Sequence, residues 1–452
     1  MRVHVFRAAI IAAVPTFVTA LPATAQNANT HAGDITAIRQ ELTQMRQMYE
    51  KRIEALESQL KSLENTQAKK AQAAAPSAGG GRSVRDNSFN PSIGVILNGK
   101  LSTFSAESSE FAGFAAGEEG ERGRKGLGID ESELNFSASV DDKFAGSLTA
   151  AIVREEGEDK VELEEAFVQT LPGAGLPDGT RIKAGRALWT FGYLNELHTH
   201  ADDFADRPLP YRAFLNNHFN DDGLEFAWVL PTDFYAEIGG GGFRGDDFPF
   251  GSSSDGIGAW SAYARVGGDI GANQSWRVGA YMLSGTTEGR ATNEDAVNFI
   301  GDSRLYAADL RYVWAPTGNN RDSEVILQGE YFLRKEKGTY EDTDAGTGAV
   351  AFNDDTSGWY LQGVYKFAPK WRAGLRYSRL DAADAPAGLA DSALDSAGHD
   401  PEAFAVMLDW SHSEFSRLRL QYNYEELSAD NPDHQFLLQY IMSIGAHGAH
   451  PF

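Results

Sequence analysis

From Pro91 onward the sequence repeats with a period of two, and no other feature limits the fold as strongly. Leu418, Leu420, Tyr422 and Tyr424 alternate with Arg417, Arg419, Gln421, Asn423 and Glu425. Trp371, Ala373, Leu375 and Tyr377 alternate with Arg372, Gly374, Arg376 and Ser378. Leu134, Phe136, Ala138 and Val140 do the same against Glu133, Asn135, Ser137 and Ser139. Successive side chains of a strand point to opposite faces, so each segment predicts a strand with one apolar and one polar face. About 16 such segments occur, most of them about ten residues long, the length a tilted strand needs to cross a bilayer.

The connections separate two architectures that share this pattern. Short ones, such as Asp141-Asp142, Pro231-Thr232-Asp233 and Ala368-Pro369-Lys370, alternate with long ones at 105–127, 189–222, 244–257, 285–303, 336–356 and 381–401. An up-and-down membrane barrel has tight turns at one end and long loops at the other, whereas a soluble sandwich has no reason to alternate. The expected fold is all-β, a transmembrane antiparallel β-barrel of about 16 strands over residues 91–452. The alternative is a secreted β-rich binding protein on a coiled-coil stalk.

The residues before the barrel divide into three. Arg2 and Arg7, the apolar run Ala8 to Ala20 and the Ala23-Thr24-Ala25 site predict a signal peptide over 1–25. Ile35, Ile38, Leu42, Met45 and Tyr49, continued by Ile53, Leu56, Leu60 and Leu63, form the seam of a coiled-coil helix within 26–66. One extra gap of four between the two runs is a stutter. Its narrow apolar stripe predicts self-association. Residues 67–90 read as a flexible linker. Both barrel termini fall on the short-turn side, so the coiled coil is expected in the periplasm.

Lys and Arg number 40 against 64 Asp and Glu, a net charge of −24 that argues against nucleic acid as a partner. Without cysteine the chain has no disulfide and no thiol chemistry. No P-loop lysine, G-x-S-x-G or H-E-x-x-H stands in it, and no enzymatic activity is expected. Only about 65 residues precede the barrel after Gln26, too few for the plug domain of an energised receptor.

Signal peptide, coiled coil, Gly/Ala-rich linker and barrel together resemble the layout of the phosphate-selective porin O/P family. The stretch Gly185-Arg186-Ala187-Leu188-Trp189-Thr190-Phe191-Gly192-Tyr193-Leu194-Asn195 is similar to that family's segment leading into its third loop. The resemblance implies an outer-membrane porin, trimeric, in an acidic branch of porin-like proteins. It implies small solutes or ions as what passes, and outer-membrane lipid around the barrel.

The long 189–222 connection is the third by count and carries its own apolar residues, as functional loops do. Folded into the lumen, it would bring Asp202, Asp203, Asp206, Asp221 and Asp222 to a constriction. Arg372, Arg376, Arg417 and Arg419 sit on polar strand faces; an arginine facing lipid at mid-bilayer costs roughly 2–4 kcal/mol, so they are expected to line the lumen opposite those acids. Paired acids and arginines satisfy a polar interior, and separated ones create a transverse field; both arrangements are open at this point. The acidic loops predict cation preference. His198, His200 and Asp202 form the one cluster in that loop with metal-ligand chemistry, and zinc is the metal its donors suit, so a divalent-metal (zinc) binding or uptake channel is an alternative function. His447 and His450 form a second short histidine cluster near the C-terminus.

Overall fold

A computed structural model describes residues 91–445 apart from 121, 156–157, 252–255 and 430. The expected signal peptide, coiled coil and linker, and His447 and His450, lie outside the described residues. Within them the chain forms β1 (Ser92–Phe104), β2 (Gly126–Ile129), β3 (Ser132–Ser139), β4 (Phe144–Glu155), β5 (Glu158–Thr170) and β6 (Thr180–Leu188). There follow β7 (Asn220–Val229), β8 (Tyr235–Phe243), β9 (Ala259–Asp269), β10 (Gln274–Thr292), β11 (Val297–Trp314) and β12 (Glu324–Asp342). The last are β13 (Val350–Ala368), β14 (Trp371–Asp381), β15 (Glu402–Ser413), β16 (Ser416–Glu426) and β17 (Pro432–Gly445).

From β3 onward each strand pairs antiparallel with its successor, and β17 returns to β1 over Gly94↔Gly445 to Phe104↔Gln435, which closes the sheet. β2 and β3 both pair with β1 and share one place in the wall, so 17 strands make a closed 16-stranded barrel. Closure removes the unpaired edges that an open sheet would expose. Among the described residues no helix is long and apolar enough to cross a membrane.

The period of two decides what each face carries. Leu310, Leu361, Leu375, Leu420 and Phe436 point outward and are exposed. Their neighbours Asp309, Gln362, Arg376, Arg419, Gln421 and Gln435 are buried inside. An apolar exterior over a polar interior inverts a water-soluble domain and matches a wall facing hydrocarbon. At the short-turn end, Phe144, Phe234, Trp314, Phe367, Trp371 and Phe415 are exposed next to turns, the arrangement of an aromatic girdle.

Two expected loops are largely strand. The segments 285–303 and 336–356 instead extend the β10–β11 and β12–β13 hairpins beyond the rest of the wall. Register between β10 and β11 runs unbroken to Thr287↔Gly301, shifts once, and resumes from Arg290↔Phe299 to Thr292↔Val297. The bulge and the Gly and Thr residues blur the alternation, which is why the sequence reads there as loop. Asn293, Glu294 and Asp295 make the turn with positive φ. Val297, Phe299, Tyr340 and Phe352 of these extensions pack with Ala115, Leu389 and Leu394 of other long loops into a separate apolar cluster.

Candidate functional site

The connection between β6 and β7 runs through the barrel interior and touches the wall on many sides. Gly185 opens the approach: its φ is +130°, and a Cβ there would fall 2.1 Å from the Ala166 carbonyl oxygen. Asn195 ties the two ends of the loop together. Its side-chain amide donates to the carbonyls of Trp189 (2.7 Å) and Phe219 (3.0 Å), and its oxygen accepts from the Phe219 N–H at 2.6 Å.

Glu330 of β12 receives the loop from below. Its carboxylate accepts from the Tyr193 N–H at 2.9 Å, from the Tyr211 hydroxyl at 3.0 Å and from the Tyr360 hydroxyl at 2.6 Å. Gly192, at φ +72°, turns over this group. The short helix Leu209–Leu215 follows, with Pro210 in its first turn, where a missing N–H costs nothing. All seven of its residues are buried. Phe191, Tyr211, Phe214 and Phe219 have no exposed surface and pack with Phe332 and Tyr360, giving the loop an apolar core of its own inside the polar barrel. Burying an aromatic side chain contributes roughly 1.5–3 kcal/mol, so this core holds the loop more firmly than surface contacts would.

On one side of the lumen the loop meets arginines of β14 and β16. Arg372 pairs with Asp203 at 2.7 Å and Arg376 with Asp206 at 2.7 Å. Asp409 of β15 lies between Arg372 and Arg419, 2.8 Å from the latter. Arg419 also donates to the Asp202 carbonyl at 2.7 Å, and Arg417 to the His200 carbonyl. Three of the four expected arginines thus meet an aspartate, and Arg417 meets a backbone carbonyl instead. Burial alone would raise the Asp206 carboxyl, but Arg376, Arg212 and the Gln421 amide hold it below the usual carboxylate range. Asp202 takes a different partner, Arg207 of the same loop, at 2.7 Å. Burial pushes its carboxyl up to about 7 even beside that guanidinium. Asp221 and Asp222 stand apart at the start of β7: Asp221 accepts from the Gly245 N–H at 2.7 Å, and Asp222 pairs with Arg186 at 2.8 Å.

On another side the two histidines face strand carboxylates. His198 Nδ1 lies 3.1 Å from Glu164 Oε1 and 3.4 Å from Glu133 Oε2, and its Nε2 is 3.1 Å from Glu165 Oε2. His200 Nδ1 is 2.6 Å from Glu133 Oε1. Burial opposes a charge on His198, yet Glu164 and Glu133 outweigh it and push the imidazole well above its ordinary range. His218 close by has the opposite fate, since burial and then Arg207 press it down to about 3.

The donor group that a cation would meet is Glu133, Glu164 and His198, with ligand atoms all within 4.8 Å of one another. Of the expected His198, His200 and Asp202 set, this group holds His198; His200 faces Glu133, and Asp202 is turned to Arg207. Sequence reasoning passed over Glu164, Glu165, Glu330 and Arg207. The adjacent acids Glu164-Glu165 carried a signal, because two charges in a row break the alternation. A register shift opposite them pairs Thr149 with Glu165 and Ala150 with Leu163, leaving Glu164 as the extra residue of a bulge, and both acids are buried.

A cavity of about 800 Å³ remains beside this group, lined among others by β2, the upper parts of β4 and β5, Glu131, Glu164, Thr199 and His218. The β5–β6 ladder there is limited to Ala166↔Arg186 through Gln169↔Lys183.

No protein-family model matches the chain. A protein of Aquifex aeolicus described as uncharacterized is 29% identical over 351 residues, which are 73% of this chain and 70% of that one. Among solved structures, the outer membrane channel DcaP of Acinetobacter baumannii is similar at 11% identity with a TM-score of 0.49, over 78% of this chain and 97% of that one. An anion-selective porin of Comamonas acidovorans is similar at 11% identity and a TM-score of 0.49, over 78% of this chain and 99% of that one.

Proposed function

We propose that the chain is a porin of a Gram-negative outer membrane, through which small hydrophilic solutes or ions diffuse passively. One observation carries this reading: a closed barrel, apolar outside and polar inside, whose lumen is narrowed by a folded loop fixed to the wall. A binding protein on a stalk would gain nothing from an apolar exterior.

The preferred ion is a cation. Arg372, Arg376 and Arg419 each already face an aspartate, so Arg417 alone of the four expected arginines stands without a carboxylate partner and is left to meet an anion. The open cavity is lined by Glu119, Asp130, Glu131, Glu162, Glu164 and Asp247 against Lys100, Arg124, Lys125 and Arg186. Low-dielectric walls focus such an excess and raise the local concentration of counter-ions. Assembly as a trimer, with the 26–66 coiled coil in the periplasm, belongs to the same proposal, and the Ile/Leu/Met seam is compatible with three strands.

Planar-bilayer recording of the purified protein in chelator tests the reading. Open channels without a coupling protein, and a reversal potential of cation sign in a salt gradient, are expected. A protein that purifies without detergent, or that conducts nothing, overturns it. Anion preference overturns the selectivity and returns the arginines, with the phosphate-selective resemblance, to first place.

A further inference from the structure

We infer that Glu133, Glu164 and His198 form a binding site for a divalent first-row cation, zinc above all, that fastens the lumenal loop to β3 and β5. Zinc takes imidazole nitrogen and carboxylate oxygen at roughly 2.0–2.2 Å, so neighbouring donors of a tetrahedral site lie about 3.3 Å apart. His198 Nδ1 stands 3.1 Å from Glu164 Oε1 and 3.4 Å from Glu133 Oε2, which is that spacing. The imidazole favours zinc over calcium or magnesium, which take oxygen alone.

A second observation points the same way. Glu164 Oε2 is buried and has no hydrogen-bond partner, although its side chain is only 7% exposed. An unpaired buried carboxylate oxygen is costly, and a cation removes the cost. Charge adds to it: four carboxylates, Glu131, Glu133, Glu164 and Glu165, face His198 and His200, with Lys183 also acting on Glu165. The remaining contacts suit a supporting shell. His200 Nδ1 holds Glu133 Oε1 at 2.6 Å and Glu165 Oε2 holds His198 Nε2 at 3.1 Å, the orientation that metal-bound groups receive from their neighbours. Glu164 also lines the cavity of about 800 Å³, which gives an ion its way in. The site does not depend on the channel reading, since a barrel of any function would hold it.

The full-length protein in detergent, carrying His447→Ala and His450→Ala to remove the tail histidines, is stripped with chelator and titrated with zinc chloride by calorimetry and elemental analysis. One zinc per chain at micromolar affinity or tighter is expected. Glu164→Gln and His198→Ala should each weaken it by at least ~10-fold, while Asp202→Asn leaves it unchanged. Zinc-edge absorption of the parent protein should report one imidazole among oxygen donors, a measurement that stands even where a variant does not fold. No stoichiometric zinc, undiminished binding by Glu164→Gln, or a shell without imidazole overturns the site. Conductance recorded in chelator is separate, so loss of the site and loss of the channel reading show up as different results.

Discussion

The Glu330 carboxylate lies so close beneath Gly192 that a methyl group on the glycine would fall 2.4 Å from Oε2. The same carboxylate carries the Tyr193 N–H and two tyrosine hydroxyls, so backbone turn and anchor are one device. Gly192→Ala therefore meets both a left-handed backbone, costing roughly 1–2 kcal/mol, and a collision with the anchor. The loop should loosen. Single-channel conductance should rise, and protease added to the long-loop side should cut within 189–219; channels indistinguishable from the parent would contradict the anchoring role.

Arg419 and Asp409 are both fully buried and meet at 2.8 Å. Removing Arg419 leaves the buried Asp409 with Arg372 as its one remaining ion-pair partner among the described residues, and a loss of up to about 3–5 kcal/mol follows. Arg419→Leu is expected to lower stability by that order in urea unfolding from lipid vesicles. Pairing it with Asp409→Leu should cost less than Arg419→Leu alone, a sign that distinguishes a stranded charge from lost packing.

Asp202 should make stability depend on pH. Its folded carboxyl titrates at about 7, above the ordinary carboxylate range, because burial penalises the charge. The folded state then binds a proton more tightly than the unfolded one. The contribution is fully present below the unfolded value near 3.9 and is lost as pH rises through 7. Unfolding midpoints should fall across that window, and Asp202→Asn should flatten this part of the profile. An unchanged slope in the variant would assign the dependence elsewhere.

Selectivity should respond to the cavity acids and to salt. Glu162→Gln with Asp247→Asn should lower the cation-to-anion permeability ratio measured from reversal potentials. The difference from the parent should shrink as salt rises from 0.01 to 1 M, because the screening length falls from about 30 Å to about 3 Å. A ratio that ignores both changes would locate the selectivity away from this cavity.

All 16 wall positions were legible in the sequence, because a strand between lipid and water must alternate and leaves a repeating trace. The arginines at 372, 376, 417 and 419 were legible for the same reason. What they meet was not. Asp203 and Asp206 find strand arginines while Asp202, adjacent to Asp203, finds Arg207, and that choice depends on the path of the loop alone. Asp221 and Asp222 read as loop residues but open β7, where they hold Gly245 and Arg186 instead. The Glu164 bulge hides a ligand in plain sight, since one inserted residue turns two successive side chains to the same face.

The apolar cluster around Phe299, Tyr340 and Leu389 stands on the tall hairpins, across the barrel from β2 and β5 where the cavity lies. On the proposed channel reading, that apolar cluster offers a hydrated ion no polar partner on its side, whereas the cavity wall does. Resistance grows with the length of a path as well as with its narrowness. If the channel reading holds, a barrel of this circumference should accordingly conduct less than its strand number alone would allow, because folded loops fill part of its cross-section.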